Sequence, residues 1–209
     1  MTKRHRNFAY GALVTTSVLG LIAGLAMLKS TATAQQDTVE VPMFEVDAFW
    51  PKPIPGEGLF GNVIGVSVDA DDNVWVTHRG AANLNNNEKG STLNPPVSIC
   101  CGAAPPVLAF NQAGDTIQKW GGKGEGYEWP ESMHGIFVDH KGFVWLGGNG
   151  AKDSQILKFT KDGKFVAQSG HQGKNEGSND PVNFGRVAQI YIDPKPTRVL
   201  SLTAIRTGA

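Results

Sequence analysis

The sequence carries no surplus of charge of either sign: 19 basic side chains are balanced by 19 acidic ones, and the pI is near 7. Without a basic excess there is no electrostatic footprint for nucleic acid or for an anionic membrane surface, and neither is expected as a partner. Beyond residue 34 the chain also lacks sustained runs of Ala, Leu, Glu and Lys. No apolar pattern with a 3.6-residue period is present, which excludes helical bundles and helical solenoids. Cysteine is nearly absent, and the only two, Cys100 and Cys101, are adjacent. Such a pair cannot close a loop. It forms either a small vicinal disulfide ring in an oxidising compartment or two partly buried thiols. No further Cys or His stands nearby at ligand spacing, so the pair is not a zinc site. No Ser/His/Asp set has the spacing of a nucleophilic triad either.

What is present in quantity is Gly (26) and Pro (12), a composition that suits short strands joined by tight turns. The first 34 residues stand apart. Lys3, Arg4, His5 and Arg6 form a basic head, Phe8 to Leu28 is an apolar run, and Ala32-Thr33-Ala34 offers small residues before the polar Gln35. This is the three-part layout of a secretory signal peptide over 1–34, with an uncleaved membrane anchor as the alternative. On either reading the rest of the chain is exported, periplasmic or secreted, and touches a membrane only through an uncleaved signal.

The chain repeats itself. Gly65-Val66-Ser67-Val68-Asp69 recurs as Gly135-Ile136-Phe137-Val138-Asp139, and Val74-Trp75-Val76 recurs as Val144-Trp145-Leu146, both at an offset of 70. Val107 to Phe110 recurs as Ile156 to Phe159 at an offset of 49, so the first copy holds an insertion over 81–106 that includes the cysteine pair. A third copy opens at Gln189-Ile190-Tyr191-Ile192-Asp193. Each copy has four short extended segments, in the second Gly135–Val138, Val144–Leu146, Ile156–Thr160 and Phe165–Gln168. Asp-x-x-Gly and Lys-Asp-Gly-Lys mark the turns, where Gly supplies a positive φ. Four antiparallel strands per unit of about 50 residues is the signature of a β-propeller blade.

These motifs resemble the NHL repeat, whose members fold as propellers, commonly six-bladed. The expected architecture is all-β, an NHL-type β-propeller truncated to about two and a half four-stranded blades. A segment over 35–62 leads into blades over 63–196. Within NHL proteins, three stretches are similar to the peptidyl-α-hydroxyglycine amidating lyases: Val74 to Gly80 with its His-Arg-Gly, His134 to Asp139, and Ile192-Asp193-Pro194-Lys195. The resemblance implies Arg79 as a contact to the substrate carboxylate and His134 as one of three zinc ligands. It also implies backbone carbonyls of Val66 and Ile136 on a calcium ion. That lyase splits an N-acyl hemiaminal into an amide and an aldehyde. A His-bound zinc lowers the pKa of a coordinated oxygen, an Arg fork holds a carboxylate, and calcium takes hard oxygen ligands.

Other residues read more plainly. His78 is expected to point away from Arg79 by strand alternation, and His140 and His171 to be solvated. Gly121 to Gly126 is an inter-blade loop without the following helix a phosphate loop needs. Trp75 and Trp145 are blade core. Met133 stands where the lyases carry Pro, and two further His ligands belong to blades beyond this sequence. Propellers close with four or more blades, so the chain is expected to be an incomplete and inactive N-terminal portion. The stretch 197–209 departs from the repeat, as a shifted reading frame would make it. Two functions compete: a metal-dependent amidating lyase using zinc and calcium, and a non-catalytic module that binds a small molecule, peptide or protein partner.

Overall fold

The computed structural model describes residues 41–56, 58–195 and 197–203. The signal expected over 1–34 lies outside the described residues. The chain divides into a unit Met1–Val46, of which 41–46 are exposed, and a unit Asp47–Ala209 that holds the strands of the described residues. Those strands are β1 (Gly58–Leu59), β2 (Val63–Val68), β3 (Val74–His78), β4 (Gly102–Ala103), β5 (Val107–Phe110) and β6 (Thr116–Trp120). The second half adds β7 (Met133–Val138), β8 (Phe143–Gly148), β9 (Ile156–Thr160), β10 (Phe165–Ser169), β11 (Val187–Pro194) and β12 (Thr197–Thr203). They form two four-stranded antiparallel sheets, ordered β2-β3-β5-β6 and β7-β8-β9-β10, and a two-stranded sheet β11-β12. The strands match the repeat, and the fold is a partial all-β propeller.

The repeat dictates each blade from its innermost strand outward. β2 lies against β7 and β7 against β11, so the first strands of successive units are neighbours. The recurring Gly permits that approach. A Cβ at Gly65 would sit 2.6 Å from the His134 carbonyl oxygen, and one at Gly135 would sit 3.3 Å from that of Ala188. At the end of each inner strand an aspartate closes the turn and reaches back to the tryptophan six residues on. Asp69 Oδ1 accepts from the Asp71 and Asn73 amides, and its Oδ2 accepts from Trp75 Nε1 at 2.9 Å. Asp139 does the same with Lys141, Phe143 and Trp145 Nε1 at 2.8 Å. A buried indole N–H needs a partner, and the conjunction of Asp and Trp in both copies supplies it.

Alternation along each strand explains why the middle strands are apolar on both faces. In β3 and β5, Trp75, Val107 and Ala109 face the second blade, where they join Met133, Ile136, Val138, Val144, Leu146, Leu157 and Phe159. The opposite face, with Val76, Leu108 and Phe110, is covered by Ile54, Trp50 and Phe60 from the segment before β2. Ile156 with Trp145 and Phe137 makes the same kind of contact to Val187, Ile190 and Ile192 of the third sheet. The blades are also tied at their turns. Lys161, between β9 and β10, pairs with Asp69 at 2.8 Å and Asp71 at 3.0 Å in the first blade.

The insertion over 81–106 holds two short 3₁₀ turns, Gly80–Asn83 and Gly90–Thr92, and β4, which pairs in parallel with β1 outside the blades. Cys100 and Cys101 are disulfide-bonded to each other within it. Among the described residues no helix is long and apolar enough to cross a membrane. Two boundaries differ from the sequence reading. The strand β7 begins at Met133, which pairs with Gly148, so His134 lies inside the inner strand and not just before it. The stretch beginning at 197, expected to leave the repeat, runs as β12 to Thr203 in register with β11, Pro194 opposite Thr197 and Ile192 opposite Val199. A ladder is a backbone property, and it forms there without the tryptophan that the first two copies carry.

Candidate functional site

The site is built where an inner strand starts and a second strand ends, since antiparallel neighbours bring those two points to one edge of each blade. In the first blade the Arg79 amide donates to the Asn62 carbonyl at 3.1 Å. In the second, the Asn149 amide donates to the Ser132 carbonyl at 2.9 Å. The offset of 70 therefore holds in three dimensions. The Arg79 side chain crosses the blade boundary, and its Nη2 donates to Asn149 Oδ1 at 3.3 Å. Ser132 Oγ donates to the same oxygen at 3.1 Å.

Arg79 is half-buried, and its Nε is buried without a hydrogen-bond partner. None of the ion pairs among the described residues includes it. A cation drawn into protein without a carboxylate costs free energy unless something pairs with it. An anionic ligand is one such partner, and a guanidinium fork suits a carboxylate.

His134, two residues into the second blade from Ser132, is half-buried and turns toward the third sheet. Its Nδ1 lies 2.8 Å from the Ala188 carbonyl oxygen. A carbonyl only accepts, so Nδ1 carries the proton and Nε2 keeps its lone pair in the neutral ring. The structure thus brings Arg79 to Asn149 and Ser132 and His134 to Ala188, at the same edge of successive blades.

The carbonyls of Val66 and Ile136 can be placed from the ladder. Asp69 with Asn73 and Asp139 with Phe143 are hydrogen-bonded positions. Val66 opposite Val76 and Ile136 opposite Leu146 are then non-hydrogen-bonded ones, by strict alternation along the regular stretches. Their N–H and C=O groups point off the blade, away from its second strand. Val138, of the same parity, donates its amide to Ser67 Oγ of the neighbouring inner strand at 3.0 Å. Among the described residues no three His, Cys, Asp or Glu side chains gather as a metal site.

His78, set aside in the sequence, is a structural hub beside Arg79. It is fully buried, stacked edge-on to Phe60, and its Nδ1 accepts from the amides of Gly61 and Gly80, each at 3.0 Å. Its Nε2 donates to the Pro105 carbonyl at 2.8 Å, where the insertion returns to the blade. Burial lowers its pKa, against a smaller upward pull from the Pro105 carbonyl. Below the unfolded value near 6.5 the unfolded chain takes up the proton more readily. Stability is therefore full above that pH and lost as pH falls below it. Urea midpoints measured between pH 8 and 5 should decline, and His78→Asn, whose Oδ1 can accept from the same amides, should flatten the decline.

Three residues at the edge escaped sequence reasoning as functional: Asn149, Ser132 and Asp153. Asp153, almost fully buried, accepts from the amides of Glu131 at 2.8 Å, Ser132 at 3.0 Å and Gly150 at 2.7 Å. It fixes both segments that carry the Arg79 partners. Only the pairing of position 79 with position 149 through the repeat was available to signal any of them.

Repeated four-stranded blades, with inner strands side by side, place the chain in the class of β-propeller modules. No family model matches it. Among curated proteins it is similar to NHL repeat-containing protein 3 of Mus musculus, 27% identical over 161 residues, which covers 74% of this chain. The match covers 38% of that relative's length. The similarity supports the NHL-repeat family.

Proposed function

We propose that the chain is the ligand-binding part of an exported NHL-type propeller and takes a small molecule or peptide by its carboxylate at Arg79. The observation that carries this reading is the half-buried guanidinium, with a buried Nε that lacks a partner and with no carboxylate paired to it among the described residues. Export rests on the N-terminal signal pattern, and the Cys100–Cys101 disulfide supports an oxidising compartment. Titration with N-acetyl-Ala-Gly and with its C-terminal amide tests the site. The acid should bind more tightly than the amide. Arg79→Met should weaken the acid by on the order of 100-fold, the worth of a charge-assisted fork, and leave the amide nearly unchanged. Acid binding by Arg79→Met at the original affinity would refute the reading.

A second reading, a metal-dependent amidating lyase, is favoured by His134. Metal-binding imidazoles commonly donate their other ring N–H to a carbonyl, as His134 does to Ala188. A zinc there would lower the pKa of an oxygen it coordinates. The off-blade carbonyls of Val66 and Ile136 suit part of a calcium oxygen set. The described residues supply one imidazole, short of the three protein ligands of a catalytic zinc. They do not fit a complete zinc site, and no reaction step is drawn through one.

A further inference from the structure

We infer that Asn149 is a second ligand-binding residue, whose amide N–H₂ donates to an oxygen of the same terminal group that Arg79 holds. The inference rests on the carboxylate reading of Arg79 and adds the neighbouring blade to the site.

The orientation of the Asn149 amide follows from its partners. Arginine has donors and no acceptor. The atom of Asn149 that lies 3.3 Å from Arg79 Nη2 must therefore be the oxygen. Ser132 Oγ donates to that oxygen as well, at 3.1 Å. Both lone pairs of Oδ1 are then used, and the amide is held from two sides. Its nitrogen is left with two N–H groups, since the side-chain bonds that Asn149 makes among the described residues both run through Oδ1. The backbone on both sides is fixed: the Asn149 amide is bound to the Ser132 carbonyl, and Asp153 takes the adjoining Gly150 and Ser132 amides. Donors held in place before a ligand arrives lose little freedom on binding it.

The chemistry of the ligand follows. A carboxylate presents two oxygens and about four acceptor positions. An Arg edge fills two of them, and the Asn149 N–H₂, in hydrogen-bonding contact with that Arg through its own oxygen, is placed to fill a third. Unlike Arg79, Asn149 is neutral. It serves any terminal carbonyl oxygen, charged or not, whereas Arg79 supplies the preference for charge. The site therefore takes a terminal C=O-bearing group of a peptide or small acid.

This division of labour separates the two residues by experiment. The full chain and its Asn149→Ala and Arg79→Met variants would be titrated with N-acetyl-Ala-Gly and with its C-terminal amide. Thermal unfolding would confirm that each variant is folded. Asn149→Ala should weaken both probes by about tenfold, the worth of one hydrogen bond, and leave the acid-to-amide ratio as in the parent chain. Arg79→Met should collapse that ratio. If Asn149→Ala binds both probes at parent affinity, Asn149 is not a ligand contact and the inference fails while the Arg79 reading stands. If it weakens the acid alone, Asn149 acts only by positioning Arg79, and direct contact is again refuted. If the parent chain shows no preference for the acid, the Arg79 reading falls and this inference falls with it. Should Asn149→Ala fail to fold, Asn149→Ser, which keeps a small hydroxyl acceptor for Arg79 and Ser132 but lacks the N–H₂ reach, gives the same comparison.

Discussion

Replacing Asp69 by alanine should destabilise the chain by about 3–5 kcal/mol in urea unfolding, the cost typical of breaking a buried ion pair. The carboxylate is nearly buried and serves five donors: the Asp71 and Asn73 backbone amides, Asn73 Nδ2, Trp75 Nε1 and Lys161 Nζ. Burial alone would raise its pKa. Hydrogen bonds from Lys161, Trp75 and Asn73 outweigh that and hold the carboxyl well below the usual carboxylate range. Truncation strands the indole N–H and the amides, and it cuts the tie that Lys161 makes between the two blades. Asp139→Ala is the internal comparison. It removes the same turn and indole bonds, but among the described residues no lysine pairs with Asp139. Its cost should be smaller by about 1–2 kcal/mol. The sign with pH follows from the lowered carboxyl: the Asp69 contribution is complete above the unfolded pKa near 3.9 and disappears as pH falls below it. Equal losses from the two substitutions would mean that the blade-to-blade ion pair contributes nothing.

Phe159→Ala should cost a similar amount, about 3–5 kcal/mol, for a different reason. The ring is 1% exposed and sits where the first blade's outer hairpin meets the second blade. Trp120, Tyr127, Trp129 and Phe165 surround it with centroids 5.2, 5.1, 6.1 and 5.8 Å away. The four surrounding aromatic rings cannot close over the space that the fifth leaves, so the cavity term is added to the lost transfer energy. Phe159→Leu, which refills most of that volume, should recover more than half of the loss in the same assay. A Leu variant no better than Ala would show that edge-to-face geometry, and not volume, sets the cost.

The parts of this fold legible in the sequence are those where one residue type answers one backbone need. Gly65 and Gly135 recur because a carbonyl of the next inner strand comes close to where their Cβ would be, blocking it at Gly65 and crowding it at Gly135. Asp69 and Asp139 recur with Trp75 and Trp145 because each indole bonds its own aspartate, a bond that the repeat alone does not reveal. The offset of 70 makes positions 79 and 149 equivalent, and their backbone amides do bond to equivalent carbonyls, of Asn62 and Ser132. The side-chain bond from Arg79 Nη2 to Asn149 Oδ1 is not implied by that equivalence. What stayed hidden lies in the loops. Ser132, Asn149 and Asp153 interact through side-chain hydrogen bonds that have no counterpart in the first blade's sequence. Strand alternation turns His78 away from Arg79, and its role in joining Gly61, Gly80 and Pro105 depends on the path of an insertion with no counterpart in the second blade. The pairing of β12 was hidden for the opposite reason. Its sequence departs from the repeat, while a ladder asks only for backbone groups.

Receipt of a ligand carboxylate by the Arg79 guanidinium, as proposed, at the edge of the first two blades can be followed at the guanidinium itself. The most direct measurement follows the arginine Nε–H resonances of ¹⁵N-labelled chain during titration with N-acetyl-Ala-Gly, with Arg79→Met supplying the assignment. The Arg79 Nε–H is buried without a partner in the free chain. Its resonance should therefore shift with the acid, saturate with the same dissociation constant as the bulk titration, and stay still with the C-terminal amide. An acid that binds while the Arg79 resonance does not move would contradict the account.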